Sequence, residues 1–430
     1  MTRSVHLRRT LPAGLAAALA AGALMVALPD EAQAHGNGHQ PARSVIFING
    51  DGMSAAHREA ARLALAGYQG DLTMNTLGAT GLQTTDPDDV NDTITDSAAA
   101  ATAWATGVKT YNGAISVANA PKNGQDAAGR QLLTLGAEAK RAGKATGIVT
   151  TAQVTDASPA AFFSNTDNRN NQDDIARQYL EVTEPDVILG GGEDRWLPAG
   201  SPGAFPDTPA EDPSEKSSST KGDLVQEAQQ LGYQYVTDAK GLQRANGDKL
   251  LGLFANEEMF QQRPEGQGDV YSPVVPLPDM TAKALTTVSK DKDGFFLFVE
   301  EEGVDEFSHE DNATRMLQSM QYLEQTVQLA RDYVKAHPDT LLIVTGDHDC
   351  GGPTVEGVDS TDESGDGISA EDGPFAVPGD TRKFVLDWTT SGHTGVPTVV
   401  TGTGYGSEQL VGSYPNTHLH DVMHQVLFGR

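Results

Sequence analysis

Short apolar runs alternate along the chain with longer stretches in which apolar residues recur every three or four positions. The runs at 44–48, 146–150, 186–189, 295–300, 341–345 and 398–401 are β-branched or aromatic and bounded by Gly, Asp or polar residues, which predicts buried strands. Helical spacing covers 55–66, 98–105, 132–142, 173–180, 222–231, 309–337 and 417–427. Strands alternating with helices predict an α/β fold with a mainly parallel central sheet and helices on both faces. Two interruptions read as surface insertions: 198–221, rich in Pro, Ser and Gly, and 356–380, acidic and Gly-rich. Neither is long enough to be a domain, so residues 35–430 are expected to form one.

The first 34 residues follow a different pattern. Arg3, Arg8 and Arg9 precede an apolar run at 11–28, and Ala32-Gln33-Ala34 offers a small-x-small cleavage site. This layout predicts a signal peptide over 1–34 and a secreted or periplasmic protein. A membrane anchor is the other reading of the run, but Pro12, Gly14, Gly22 and an Ala-rich composition count against it. Arg8-Arg9 also fits the twin-arginine route, which exports folded proteins.

Composition narrows the classes. The chain has 30 Lys+Arg against 59 Asp+Glu, a net charge of −29, which argues against general affinity for nucleic acid or anionic membranes. Its single cysteine, Cys350, excludes an internal disulfide and a Cys-rich metal site.

Ligands of open α/β sheets collect at the carboxyl ends of strands. The first predicted strand ends in Gly50-Asp51-Gly52, the fifth in Gly346-Asp347-His348, and the fourth at Glu300, with Asp305 and His309 a turn later. An Asp after a strand serves as a helix cap or turn residue as readily as a ligand. Asp305 and His309 are spaced to share one face of a helical turn. His393 lies in a Gly-flanked loop, SGHTG. His418, His420 and His424 fit one face of a terminal helix and read as structural or surface residues. Ser97 precedes an Ala-rich helix former, and Asp96 or Ser97 starts that helix. The position suits a cap, and equally a phosphate ester met by free backbone N–H groups.

Taken together, NGDGMS, TDSAAAATAWATGVKTYNGAIS, TDASPAAFF, VE-x4-D-x3-H, VTGDHD and GHTG, in that order over residues 45–395, closely resemble the alkaline phosphatases. The resemblance implies a phosphomonoester hydrolase with Ser97 as the nucleophile of a phosphoserine intermediate. It implies that Asp305, His309 and His393 hold one zinc and Asp51, Asp347 and His348 a second. Asp51 with Glu300 and Ser158 would hold a third ion, magnesium, and Arg169 would clamp the phosphate. Asp156, 13 residues before Arg169 in the sequence, and Asp96 stand beside these roles. A homodimer is a further implication of the family.

Three features depart from the family pattern. Ser158 stands where Thr is common, which keeps the hydroxyl. Glu306 follows Asp305 where Lys, His or Trp is more usual, which removes cationic help to the phosphate. The disulfides of the best-known bacterial member are absent, and Cys350 is expected to be buried and inert. Other readings stay open. One is a superfamily diesterase or sulfatase, another a phosphatase for one secreted metabolite, and a third a phosphate- or metal-binding protein without activity.

Overall fold

In chain order the strands are β1 (Ser44–Gly50), β2 (Ala79–Thr84), β3 (Ala145–Gln153), β4 (Val187–Gly191), β5 (Gln234–Val236), β6 (Leu250–Leu253), β7 (Phe295–Glu301), β8 (Thr340–Thr345), β9 (Asp349–Cys350), β10 (Thr354–Gly357), β11 (Asp372–Ala376), β12 (Lys383–Asp387), β13 (His393–Thr394), β14 (Thr398–Gly404) and β15 (Gly412–Pro415). The computed structural model describes residues 43–119, 129–205, 216–358 and 372–429. The expected signal peptide and the middles of both expected insertions lie outside the described residues.

Ten strands form one sheet in the order β15-β2-β14-β8-β1-β7-β3-β4-β6-β5. The run from β8 to β5 is parallel throughout, and β14 is antiparallel to both β8 and β2. The result is a mixed sheet dominated by parallel strands. All six predicted strands are present, as β1, β3, β4, β7, β8 and β14.

Side chains alternate across each strand, so the central strands feed two cores. In β1, Val45 and Phe47 enter one core and Ile46 and Ile48 the other. Helices Ser97–Thr106, Ala157–Phe163 and Thr417–Phe428 cover the first face through Ala101, Trp104, Phe162 and Met423. Helices Ala313–Ala336 and Leu277–Val288 cover the second through Met316, Met320, Leu323, Met280 and Leu285. Phe47 meets the rings of Trp104 at 4.9 Å and Phe162 at 5.8 Å. Truncating such a buried Phe to Ala costs about 3–5 kcal/mol. The apolar body therefore fixes where the strand ends lie.

The predicted helix over 309–337 is two helices. His309 ends the short helix Gly303–His309, Asp311 takes a φ of 50°, and Asn312 caps Ala313–Ala336 by accepting from Arg315 N. The apolar spacing ran through the break because Phe307 and Ala313 both face the core. The flanks of the expected 356–380 insertion are strands: β10 and β11 both pair with β12 in a small antiparallel sheet.

Candidate active site

Strands β8, β1, β7 and β3 lie side by side and parallel, so their carboxyl ends deliver polar residues to one place. Asp51 follows β1 and is fully buried. Gly52 beside it has a φ of +65°, and a Cβ there would stand 2.6 Å from Asp305 Oδ1. The backbone turn at Gly52 thus needs glycine for both reasons. Its N–H donates to Asp347 Oδ1 at 3.0 Å, tying the end of β1 to the segment after β8.

Two groups of side chains converge there. In the first, Asp305 Oδ2 lies 3.1 Å from His309 Nε2, and Asp305 Oδ1 lies 3.6 Å from His393 Nε2. In the second, His348 Nε2 lies 3.1 Å from Asp347 Oδ2 and 3.5 Å from Asp51 Oδ1. His393 arrives from far along the chain because β13 pairs antiparallel with β9, setting His393 opposite Cys350. His309 and His393 each meet a backbone carbonyl at Nδ1, Ser391 O at 2.7 Å and Thr95 O at 2.9 Å. Those bonds assign the proton to Nδ1 and turn both Nε2 atoms inward, 3.2 Å apart.

Ser97 is the first residue of its helix, and Asp96 is the cap, accepting from Ala99 N at 2.9 Å. Ser97 Oγ lies 3.2 Å from His348 Nε2. Arg169 Nη2 donates to both carboxylate oxygens of Asp156, at 3.0 and 3.1 Å, and its Nη1 is 3.6 Å from Asp96 Oδ2. Ser158, in the helix after β3, donates to Asp51 Oδ2 at 3.4 Å. Glu300 is held by Asn49 Nδ2 at 3.1 Å and Thr150 Oγ1 at 2.7 Å. Every residue singled out at the strand ends therefore meets at one edge of the sheet. The C-terminal helix histidines stand apart: His418 Nε2 meets Gln409 O, and His424 Nε2 lies 3.1 Å from Glu138 Oε2.

The alkaline phosphatase family model matches residues 42–377. The chain belongs to the alkaline phosphatase family. It is 34% identical over 321 residues to alkaline phosphatase 3 of Bacillus subtilis, covering 73% of the chain but 62% of that relative's length. It is 33% identical to the streptomycin-6-phosphate phosphatase of Streptomyces griseus, over 89% of the chain and 90% of that protein. The solved alkaline phosphatase of Thermus thermophilus superposes with a TM-score of 0.71 at 25% identity, covering 91% of this chain and 92% of that one.

The family implies divalent metals, and the donors present fit them. Asp51 Oδ1, Asp305 Oδ1, His348 Nδ1 and Glu302 Oε2 are buried without a hydrogen-bond partner among the described residues. Such orphaned atoms are costly unless a cation meets them. Ligand atoms of Asp305, His309, His393 and Cys350 lie within 4.8 Å of one another, as do those of Asp51, Asp347 and His348. Burial, reinforced by Asp347 and Asp305, pushes Asp51 well above the usual carboxylate range. Glu300 is pushed up to about 8 by burial. Glu306 is also pushed up to about 8, by burial and then by Asp305 and Glu258. His309 is raised to about 9, chiefly through its hydrogen bond to Asp305. A bound cation would displace that proton, since metal binding requires the neutral imidazole. Cys350 is driven far upward by burial and then by Asp305, which keeps its thiol protonated.

Two contributors escaped the reading of the sequence. His57 is fully buried, accepts from Ser54 N at Nδ1, and sets Nε2 3.1 Å from Ser308 Oγ, bracing the helix that carries Asp305 and His309. Glu302 is buried between Asp51 and Asp305, with a ligand oxygen within 4.8 Å of theirs. The sequence shows only the run Glu300-Glu301-Glu302 at the end of a buried strand, which does not say which of the three acids turns toward Asp51.

Proposed function

We propose that the chain is a metal-dependent phosphomonoester hydrolase that works through a phosphoserine on Ser97 and releases inorganic phosphate. The observation that carries this reading is the position of Ser97: a buried hydroxyl at a helix N-terminus, 3.2 Å from His348 Nε2 and next to two metal-compatible groups. In this reading Asp305, His309 and His393 hold one zinc, Asp51, Asp347 and His348 a second, and Asp51, Glu300 and Ser158 a magnesium. Cys350 stays a protonated thiol outside the set. The bound cations supply Lewis acidity and lower the pKa of coordinated hydroxyls.

The chain's own residues do the rest. Ser97 Oγ forms a bond to phosphorus as the bond to the leaving alcohol oxygen breaks, and that oxygen takes a proton. Water then attacks phosphorus, the Ser97 Oγ–P bond breaks, and the seryl oxygen recovers a proton as phosphate leaves. Arg169 pairs its guanidinium with nonbridging phosphate oxygens. Asp156 and Asp96 hold that guanidinium charged and in place, overcoming the cost of its burial. The first turn of the Ser97 helix adds backbone N–H groups facing the anion. Export through the leader at 1–34 belongs to the same reading.

A narrower second reading, a phosphatase for one phosphorylated metabolite, draws support from the near end-to-end likeness to the Streptomyces griseus protein. The test of the main reading is a comparison of kcat/KM on a phosphate monoester, a phosphate diester and a sulfate ester, with metal analysis of the same preparation. The monoester should lead by orders of magnitude. A preparation that prefers the diester or the sulfate overturns the reading.

A further inference from the structure

A cavity of about 390 Å³ lies under the segment that follows β6. We propose that it is the subsite for the alcohol part of the ester, and that this alcohol is a polyhydroxylated ring without a second negative charge. The inference rests on the phosphomonoesterase reading above and adds to it the substrate class.

The sheet sets the cavity beside the candidate active site. β6 is parallel to β4, and β4 to β3, so the chain leaves β6 at the same edge as the strands that carry the site. Met259 N donates to Thr151 O at 2.9 Å, which docks that segment on the end of β3. Gln153 then joins cavity to site. Its backbone carbonyl accepts from Asp156 N at 2.9 Å, and its side-chain amide donates to Glu258 Oε1 at 2.9 Å. Asp156 in turn holds Arg169. Glu258, in the cavity wall, is therefore tied through Gln153 and Asp156 to the guanidinium that would clamp the phosphate. It is also close enough to Asp156 and Glu306 for the acids to repel one another.

The lining decides what fits. Small-molecule sites span about 300–1,000 Å³, so there is room for one ring. The charged residues of the lining are two carboxylates, Glu257 and Glu258, and one cation, Arg263. The dianionic phosphoryl group therefore stays with Arg169, and the cavity takes the uncharged end of the ester. Phe254 and Phe260 are buried in its floor, and Phe205 is half-buried in its wall. The rest of the wall is polar: beside Glu258 stand Gln261, Gln262 and Ser272. An aryl alcohol would strip water from these groups and give them no partner. A ring carrying several hydroxyls satisfies them, because hydroxyls donate to the carboxylate and exchange bonds with the amides and the serine. Its C–H face meets the phenyl rings. Sites built to hydrogen-bond a hydroxyl discriminate strongly against analogues that lack it.

The test compares kcat/KM on glucose 6-phosphate and on ethyl phosphate, both monoesters of primary alcohols. It uses the metal-loaded parent, Glu258→Gln and Val274→Trp. Val274 is exposed where it lines the cavity, so Trp there narrows the space without replacing a polar group. The parent should favour glucose 6-phosphate. In Glu258→Gln the ratio of the two constants should fall roughly tenfold, the difference between hydrogen bonds to a charged and to a neutral acceptor. Val274→Trp should lower the ratio to a similar extent, with ethyl phosphate hydrolysis and zinc content near the parent's. Comparing ratios removes the intrinsic reactivity of each ester. A ratio unchanged in either variant overturns the inference, and so does an equal loss on both esters. A parent inactive on both esters sinks the proposed function as well, whereas activity on both with one ratio in all three proteins sinks this inference alone.

Discussion

Glu301 and Glu302 are adjacent, both buried, and in opposite conditions. Glu301 accepts from Tyr271 Oη at 2.7 Å, Thr151 Oγ1 at 2.9 Å and Gly303 N at 3.2 Å. Burial pushes it up to about 7 against the pull of those donors. Glu302 has an oxygen within 4.8 Å of Asp51 and Asp305, and burial, then Asp51 and Glu300, push it well above its usual range. The first acid is complete within the fold and braces the end of β7. The second leaves Oε2 without a hydrogen-bond donor among the described residues, as Asp51 and Asp305 do at Oδ1. The contrast teaches how to separate structural from functional buried charge: the criterion is what meets the oxygens, not how deeply they lie.

The largest expected effect on that contrast comes from removing metal. Glu300 and Glu306 rise from a usual 4.5 to about 8. A carboxyl whose folded pKa exceeds its unfolded one adds stability below the unfolded value and loses it as pH climbs through the folded value. The metal-free protein should therefore lose melting temperature between about pH 5 and 9, by roughly 5–10 °C, and saturating divalent cation should flatten the slope to the share that Glu301 contributes. Thermal melts across pH with and without metal check this. A metal-free profile no steeper than the metal-loaded one would mean that Glu300 and Glu306 are satisfied by protein groups.

A smaller effect sharpens the other side of the comparison. Tyr271→Phe removes one donor from Glu301 and should cost about 2 kcal/mol in urea unfolding, the range for a hydrogen bond to a charged group. Metal content and kcat should stay near wild-type, because Glu301 meets neither metal-compatible group. Loss of metal in that variant would join the two acids into one functional unit.

The sequence revealed the sheet through its central strands, because Val45, Ile46, Phe47 and Ile48 and their counterparts are apolar on both faces. It concealed β2, whose inward residues are Ala79, Gly81 and Gln83, too small or polar to show alternation, while Leu82 faces outward. It concealed the helix Ala157–Phe163 because every residue there is buried, leaving no polar face to set a period. The site residues were legible because strand-end positions and ordered motifs both pointed to them. Glu302 was not, since three acids in a row carry no period, and only the backbone switch at Gly303 decides which way each side chain turns.

The central claim is that Ser97 attacks phosphorus at this edge. Rapid acid quenching of the holoenzyme with a monoester carrying labelled phosphate, followed by peptide mapping, tests it most directly. The account predicts label on Ser97, about one per active site at most, and none in Ser97→Ala, whose zinc content stays intact while turnover falls by orders of magnitude. Label recovered on a histidine, an aspartate or another serine, or undiminished turnover in Ser97→Ala, would contradict it.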